Sequence, residues 1–324
     1  MANKALVMWM VTALSIVAFV AGFNIFVDPF GYFGWNRIGY YFSSERQFKY
    51  SLVKSYDYNA IVLGDSRIAY TDTSAINRPE YTFVNGGIGG ASVAEQVALL
   101  SASRLDRLRL AVFGLQFGDL AHCTEDETPT GGASAPDEYG SWDALRFAAS
   151  WTQAAYAVDA LLARAHGRSP SYHPDGSRSV VSNYFREAAL DEKTERYWNK
   201  IEANVPTDQS YRPQFDFGPR CQKLLGEARR LAKQHDFSLL VIFLPQNVDL
   251  LERLNWDTPE VRGDIGKFVA EVKQAVPHFV DLSRSSFSAS RGFWLNDSTH
   301  FKPLIGAQII DAAISQTIGA QASR

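Results

Sequence analysis

The stretch Ala60-Ile61-Val62-Leu63-Gly64-Asp65-Ser66 decides the architecture of this chain. Four consecutive apolar residues suit a strand that is buried on both faces, because a half-exposed strand would alternate apolar and polar residues. The Gly-Asp pair that follows is typical of a turn. The segment therefore predicts a buried parallel strand that ends at Ser66.

Four other short apolar runs have the same character. They are residues 81–84 before Asn85-Gly86-Gly87, residues 110–115 before Gln116, residues 239–244 before Pro245, and residues 279–282. Between them, residues 91–103 and 221–232 repeat apolar side chains at the helical period, and Pro303 is placed to begin a last helix. Strands that alternate with helices predict an α/β fold with a parallel sheet covered on both faces.

The amino terminus predicts one transmembrane helix at residues 1–27. No residue from Ala5 to Val27 is charged, and roughly 20 apolar residues span the ~30 Å of a bilayer's hydrocarbon. A cleaved signal peptide, the alternative, has a shorter apolar region and a small-x-small site that Ala18-Phe19-Val20-Ala21 does not match. Lys4 favours a cytoplasmic amino end, so we expect a single-pass inner-membrane protein whose remaining residues lie in the periplasm or outside.

The remaining chain divides into a connector and a large domain. Residues 28–58 are rich in Tyr, Phe and Gly and predict a juxtamembrane connector that either packs along the membrane or the domain, or is a plain tether. Residues 59–324 hold the α/β domain. Within it, residues 122–215 break the alternation of strands and helices, with helical stretches at 142–165 and 183–201. We interpret them as an insertion near the carboxyl ends of the strands, or as a separate small domain.

The composition argues against several functions. The net charge of -3 gives no basic surplus, so nucleic-acid binding is not expected. The six histidines lack the spacing of metal ligands, and neither a metal nor another cofactor is predicted. Cys123 and Cys221 are the only cysteines, and they form either a disulfide or two buried thiols.

Three residues predict nucleophilic catalysis. A serine hydroxyl needs a neighbouring base, and that base needs a group that fixes its tautomer. Ser66 follows the first strand, while Asp297 and His300 lie three residues apart just before the last helix. Each motif alone is common, but their occurrence in this order is rarer. We predict Ser66 as the nucleophile, His300 as the base and Asp297 as its orienting carboxylate.

These motifs resemble the SGNH, or GDSL-like, hydrolase superfamily over about residues 61–314. The first block of that superfamily is matched by Gly64-Asp65-Ser66, the last by Asp297-Ser298-Thr299-His300, and the second by residues 85–90, with Gly90 as its glycine. The resemblance implies a flavodoxin-like three-layer α/β/α sandwich with a parallel sheet. It also implies an oxyanion hole made by the Ser66 amide, the Gly90 amide and a third donor.

The third donor is where this sequence departs from the superfamily. The usual Gly-x-Asn-Asp is replaced by Gly114-Leu115-Gln116-Phe117-Gly118-Asp119, which contains no asparagine. Gln116 either supplies the missing amide or caps the strand. Arg67 replaces the commoner leucine after the nucleophile. Its guanidinium either binds an anionic or hydroxyl-rich substrate or forms a salt bridge with an acidic residue such as Asp72.

The anchor, the Gly-Asp-Ser-Arg turn and the long insertion resemble membrane-anchored SGNH-like proteins that acylate or deacylate exported polysaccharides. In such systems a multi-spanning membrane acyltransferase commonly supplies the acyl group. We therefore expect an O-acyltransferase or deacetylase acting on acyl esters, in the first place acetyl esters, of a carbohydrate polymer. A lipid or small-ester esterase and a non-catalytic scaffold remain as alternatives. Four aromatic residues can stack on sugars or simply pack between helices: Trp142, Trp151, Tyr184 and Trp198.

Overall fold

The computed structural model describes residues 2–34, 36, 38–40, 45–116, 141–179, 194–204, 217–253, 258–276, 278–294 and 297–322. The chain divides into two compact units. Unit 1 comprises Met1–Tyr56 and Pro136–Pro174, and unit 2 comprises Asp57–Ala135 and Asp175–Arg324.

The described residues form eleven α-helices and seven strands. The helices are α1 (Ala2–Val27), α2 (Glu45–Ser55), α3 (Ser66–Ala69), α4 (Val93–Ser101), α5 (Ser141–Ala148), α6 (Trp151–Ala165), α7 (Thr194–Asn204), α8 (Pro219–His235), α9 (Val248–Arg253), α10 (Pro259–Ala275) and α11 (Pro303–Ala322). The strands are β1 (Ala60–Leu63), β2 (Phe83–Asn85), β3 (Leu110–Leu115), β4 (Ser238–Phe243), β5 (Phe279–Asp281), β6 (Phe293–Trp294) and β7 (Asp297–Phe301).

Unit 2 is built on a five-stranded parallel sheet in the order β2-β1-β3-β4-β5. The predicted α/β class with a parallel sheet is thereby confirmed. Each of the five predicted runs forms a strand, and β1 and β3 have the predicted bounds. β6 and β7 form a separate antiparallel pair just before α11, and β7 contains Asp297 and His300.

Helices cover both faces of this sheet, which gives unit 2 three layers. On one face, Val62, Val112 and Ile242 share a buried core with side chains of α11. On the other face, the Phe243 ring lies 5.3 Å from the ring of Phe268 on α10, and α4 packs against α8. Both faces of the strands are buried, which explains why their sequences are continuously apolar.

Unit 1 contains α1, the one described helix that is long and apolar enough to cross a membrane. Its side chains are largely exposed over Lys4–Val27, so it is not a core helix of unit 1. Near its carboxyl end, the Asn24 Nδ2 donates to the backbone oxygens of Ala148 at 2.7 Å and Ser150 at 2.9 Å. These bonds fasten α1 to the junction between α5 and α6.

The sequence did not predict α2, which lies inside the connector at residues 28–58. The expected insertion at residues 122–215 is also divided. Residues 141–174 pack in unit 1, where Ala157 and Ala160 of α6 are buried against Val27, whereas α7 belongs to unit 2. Small residues on α6 allow this close packing. The rest of the stretch lies outside the described residues.

Cys221, in the first turn of α8, is disulfide-bonded. The only other cysteine of the sequence, Cys123, lies outside the described residues. Of the two states that the sequence left open, Cys221 therefore has the disulfide-bonded one, whereas the prediction for Cys123 lies outside the described residues.

Candidate active site

The turn after β1 presents Ser66 to solvent. A Cβ atom on Gly64 would lie 2.3 Å from Ile68 Cγ1 and 3.1 Å from the Gly114 oxygen, so this turn requires glycine. Asp65 then caps α3, because its Oδ1 accepts a hydrogen bond of 2.9 Å from the Arg67 backbone N–H. Ser66 is the first residue of α3 and is partly exposed, whereas Asp65 and Arg67 beside it are buried.

The structure brings the three predicted catalytic residues together. The Ser66 Oγ lies 2.9 Å from His300 Nε2, and His300 Nδ1 lies 2.7 Å from Asp297 Oδ2. Ser66 begins α3 in the turn after β1, whereas the other two residues lie on β7. The relay therefore joins two parts of the chain that are 234 residues apart. Such a serine–imidazole–carboxylate relay can transfer the serine proton to the imidazole.

Asp297 is held so that its carboxylate stays ionised. Its Oδ1 accepts hydrogen bonds from the backbone N–H groups of Thr299 at 2.9 Å and His300 at 3.0 Å. Burial raises the pKa of Asp297, but the hydrogen bonds and charge of His300 outweigh burial and hold that pKa below its ordinary value. An ionised Asp297 favours the tautomer in which His300 Nδ1 carries the hydrogen and Nε2 is free to accept a proton.

Tyr70 and Arg178 complete the surroundings of the imidazole, and the sequence analysis missed both. The Tyr70 ring meets the His300 ring edge-on, with 5.4 Å between their centroids. The Arg178 guanidinium lies 5.1 Å from the Tyr70 ring centroid, and the Arg178 backbone N–H donates to the Ala69 oxygen at 2.7 Å. No local pattern could reveal them, because residue 178 approaches α3 only in the folded chain.

Two of the predicted oxyanion donors are backbone N–H groups, one in the turn after β1 and one in the loop after β2. The loop after β2 is fastened to the nucleophile turn because the Gly86 N–H donates to the Val62 oxygen and the Ile88 N–H to the Gly64 oxygen. Gly90 has φ +66, a left-handed conformation that favours glycine. The N–H groups of Ser66 and Gly90 make no hydrogen bond with the residues that the structure describes.

Gln116, the predicted third donor, faces a different group. Its Nε2 donates to Asp65 Oδ2, and its Oε1 accepts a hydrogen bond of 3.4 Å from Arg67 Nη1. Burial raises the pKa of Asp65, and the nearby charge of Arg67 opposes that rise. Gln116 therefore bridges the buried side chains of Asp65 and Arg67. Its amide is engaged in these hydrogen bonds rather than with an oxyanion.

Arg67 lies beside the buried Asp65 rather than beside Asp72 or in a position to bind a substrate. Its side chain is only 1% exposed, so it does not reach a substrate in solvent, and Asp72 instead accepts hydrogen bonds from Ser74. The Arg67 guanidinium donates to the Pro245 oxygen and lies 4.9 Å from the ring centroid of Phe301. Because Phe301 follows His300 on β7, Arg67 connects the nucleophile turn to the strand that carries the base.

The other predicted contacts are not gathered at the triad. Trp198 is 6% exposed and lies beneath the Arg253 guanidinium, at 4.8 Å, while Trp151 belongs to unit 1. Tyr184 and the side chain of Trp142 lie outside the described residues, as does Asp119. Within the described ranges, no group of His, Cys, Asp and Glu side chains is arranged to hold a metal ion.

Gly87→Ala should disrupt the site because its side chain would displace the backbone of α3. Its new Cβ would lie 2.4 Å from the Ala69 N atom and 2.7 Å from the Ile68 carbonyl carbon, so α3 must move. We expect a loss of roughly 1 to 3 kcal/mol in the free energy of unfolding, measured by denaturant titration. Gly226→Ala on α8 is the control, because nothing lies within 4 Å of its Cβ and alanine favours helix. Equal stability of the two variants would contradict the described packing.

No protein-family model matches the chain, and no curated protein is significantly similar to it in sequence. The chemistry of the site is therefore inferred from its own geometry and from its motifs.

Proposed function

We propose that this chain is an anchored, extracytoplasmic serine O-acyltransferase or deacetylase of the SGNH type. In this proposal it acts on acyl esters, in the first place acetyl esters, of an exported or cell-envelope polysaccharide. The observation that carries the chemistry is the relay from Ser66 through His300 to Asp297, with contacts of 2.9 Å and 2.7 Å. The polysaccharide substrate is inferred from the resemblance of the sequence to membrane-anchored SGNH-like proteins that acylate or deacylate exported polysaccharides.

The reaction has two half-reactions. Ser66 Oγ attacks the acyl carbonyl while its proton passes to His300 Nε2, and the N–H groups of Ser66 and Gly90 receive the oxyanion. The protonated imidazole then gives its proton to the leaving alcohol, which leaves an acyl group on Ser66. In the second half, His300 takes a proton from water or a sugar hydroxyl as that oxygen attacks the acyl-serine. The bond between the acyl carbon and Ser66 Oγ then breaks, and the imidazolium returns the proton to Ser66 Oγ.

The position of the site supports this proposal. The order β2-β1-β3-β4-β5 is that of flavodoxin-like sheets, in which ligands bind at the carboxyl ends of the strands where the strand order reverses. Ser66 follows β1, one of the two strands at that reversal. We therefore include unit 2 among flavodoxin-like folds as part of the proposal.

Two observations support a location outside the cytoplasm. The helix α1 is long and apolar enough to span a bilayer, and its first charged residue is Lys4. Cys221 is disulfide-bonded, and disulfides persist mainly in oxidising compartments such as the periplasm. Partnership with a multi-spanning membrane acyltransferase is part of the same proposal.

A fluorophosphonate probe tests the nucleophile. The wild-type protein should be labelled, and Ser66→Ala should abolish the label because the probe reacts with a serine activated by a base. Ser74→Ala is the matched control, since Ser74 is an exposed serine whose hydroxyl donates to Asp72 Oδ1 at 2.6 Å. Undiminished labelling of the Ser66→Ala protein would refute the proposal.

Transfer and hydrolysis differ only in what attacks the acyl-serine. We expect slow cleavage of an activated acetyl ester, faster turnover when an oligosaccharide is added, and acylated sugar detected by mass spectrometry. A bound acceptor has this advantage because its hydroxyl is held close to the acyl group. Rapid hydrolysis that no sugar changes would favour a deacetylase or a simple esterase over a transferase.

A further inference from the structure

Helix α6 carries an uncharged apolar face that unit 1 leaves exposed. Trp151 is 69%, Val158 45% and Leu162 50% exposed. At 3.6 residues per turn, the apolar side chains fall within an arc of about 120° that contains no polar residue. The arc, called here the α6 apolar face, consists of Trp151, Ala154, Ala155, Val158, Leu161, Leu162 and Ala165. Thr152 and Asp159 lie just beyond one edge of it.

The α6 apolar face borders the exposed apolar length of α1. An apolar groove of about 630 Å³ lies between the two helices, with Ser15 and Phe19 among its α1 residues and Trp151 and Val158 on the α6 side. The Ser15 hydroxyl donates to the Val11 oxygen within α1 at 2.8 Å, so it adds no unsatisfied donor to the groove. The groove thus presents hydrocarbon almost throughout.

The position of α6 along α1 matches the thickness of a bilayer. The packed residues of α6, Ala157 and Ala160, share a core with Val27 and Phe23 at the carboxyl end of α1. From Ala5 to Phe23 the helix rises about 27 Å, close to the ~30 Å of a hydrocarbon layer. With Lys4 at one boundary, α6 therefore crosses α1 near the other boundary.

We propose that α6 lies on the membrane as an interfacial helix, with its apolar face in the acyl chains and lipid filling the groove. A Trp near the membrane–water interface and large apolar side chains are typical of a helix surface that faces lipid. Interfaces between transmembrane helices instead favour small residues. The inference rests on the proposal that α1 is a retained anchor, and not on the chemistry at Ser66.

Site-directed nitroxide labels test this placement in the full chain, reconstituted in nanodiscs of phosphatidylcholine and phosphatidylglycerol. Val158→Cys and Leu162→Cys place labels on the apolar face, and Thr152→Cys and Asp159→Cys are exposed controls on the same helix. We expect the first two labels to collide more with oxygen than with a water-soluble nickel chelate, at a depth of about 5 to 10 Å. The two controls should show the reverse preference.

Ile16→Cys separates the two proposals, because Ile16 is exposed in the middle of α1. If the Ile16 label is in lipid while the Val158 and Leu162 labels match their controls, the interfacial helix is refuted and the anchor stands. If the Ile16 label is in water, the anchor itself fails. Labels at 158 and 162 that neither reagent reaches would mean that protein, such as a second copy of the chain, covers this face, and would also overturn the proposal.

Discussion

Asp297→Asn should lower kcat on an activated acetyl ester about 10⁴-fold, the effect seen when the carboxylate of a serine relay becomes an amide. Oδ2 of Asp297 lies 2.7 Å from His300 Nδ1 and accepts a hydrogen bond from it. An asparagine NH₂ group in that place favours the opposite tautomer, in which Nε2 carries the hydrogen. His300 could then not accept the proton of Ser66, although the fold would be retained.

The pH dependence of stability provides an independent measurement on the same carboxylate. His300 holds the pKa of Asp297 below its ordinary value of 3.8, despite burial. A lowered pKa in the folded state means that the carboxylate stabilises the fold at neutral pH, and that this contribution is lost as the pH falls below about 4. Asp297→Asn should remove this part of the acid sensitivity, measured by denaturant titration from pH 7 down to about pH 3.

Asp281→Asn is the control for both measurements, because Asp281 also accepts hydrogen bonds from a nearby backbone and hydroxyl group, those of Ser283. It should leave kcat unchanged. A loss of less than about tenfold for Asp297→Asn would mean that the carboxylate does not set the imidazole tautomer.

The sheet could be predicted from the sequence because its strands are buried on both faces. The runs that form β1 and β3 are continuously apolar and end at a glycine or a polar residue, so their bounds were visible locally. The triad was also predictable, since Ser66 follows β1, while Asp297 and His300 lie three residues apart just before α11. Their mutual distances depend on the fold and were not visible.

Contacts between distant segments could not be predicted. For Gln116 and Arg67 the sequence left both a role at the substrate and a structural role open, and only the folded chain shows that both side chains bond within the turn. The partner of Arg67 at Pro245 lies 178 residues away. The packing of α6 on α1 likewise depends on small residues such as Ala157 and Ala160, whose spacing does not reveal which helix they meet.

Arg67→Ala should have the second large effect, on both stability and kcat. The guanidinium is buried, bonds to Pro245 and Gln116, and offsets the charge of the buried Asp65. Removing one partner of such a buried charge pair costs about 3 to 5 kcal/mol. Because Arg67 also packs on Phe301, next to His300, its loss should misplace Ser66 relative to the imidazole and lower kcat about 10²-fold.

A double variant without the two buried charges can separate a positioning role of Arg67 from simple destabilisation. Arg67→Met combined with Asp65→Asn removes both buried charges and keeps an α3 cap, so stability should recover relative to either single variant.

We expect kcat to stay low in that double variant, with KM for a small ester nearly unchanged. The reason is that the contact of the Arg67 guanidinium with Phe301, which joins the nucleophile turn to β7, is still missing. Arg78→Ala is the matched control. Arg78 forms a partly exposed salt bridge of 2.7 Å with Asp311, and its loss should cost about 1 kcal/mol or less and leave kcat unaltered. Recovery of kcat together with stability in the double variant would show that Arg67 serves only to balance Asp65.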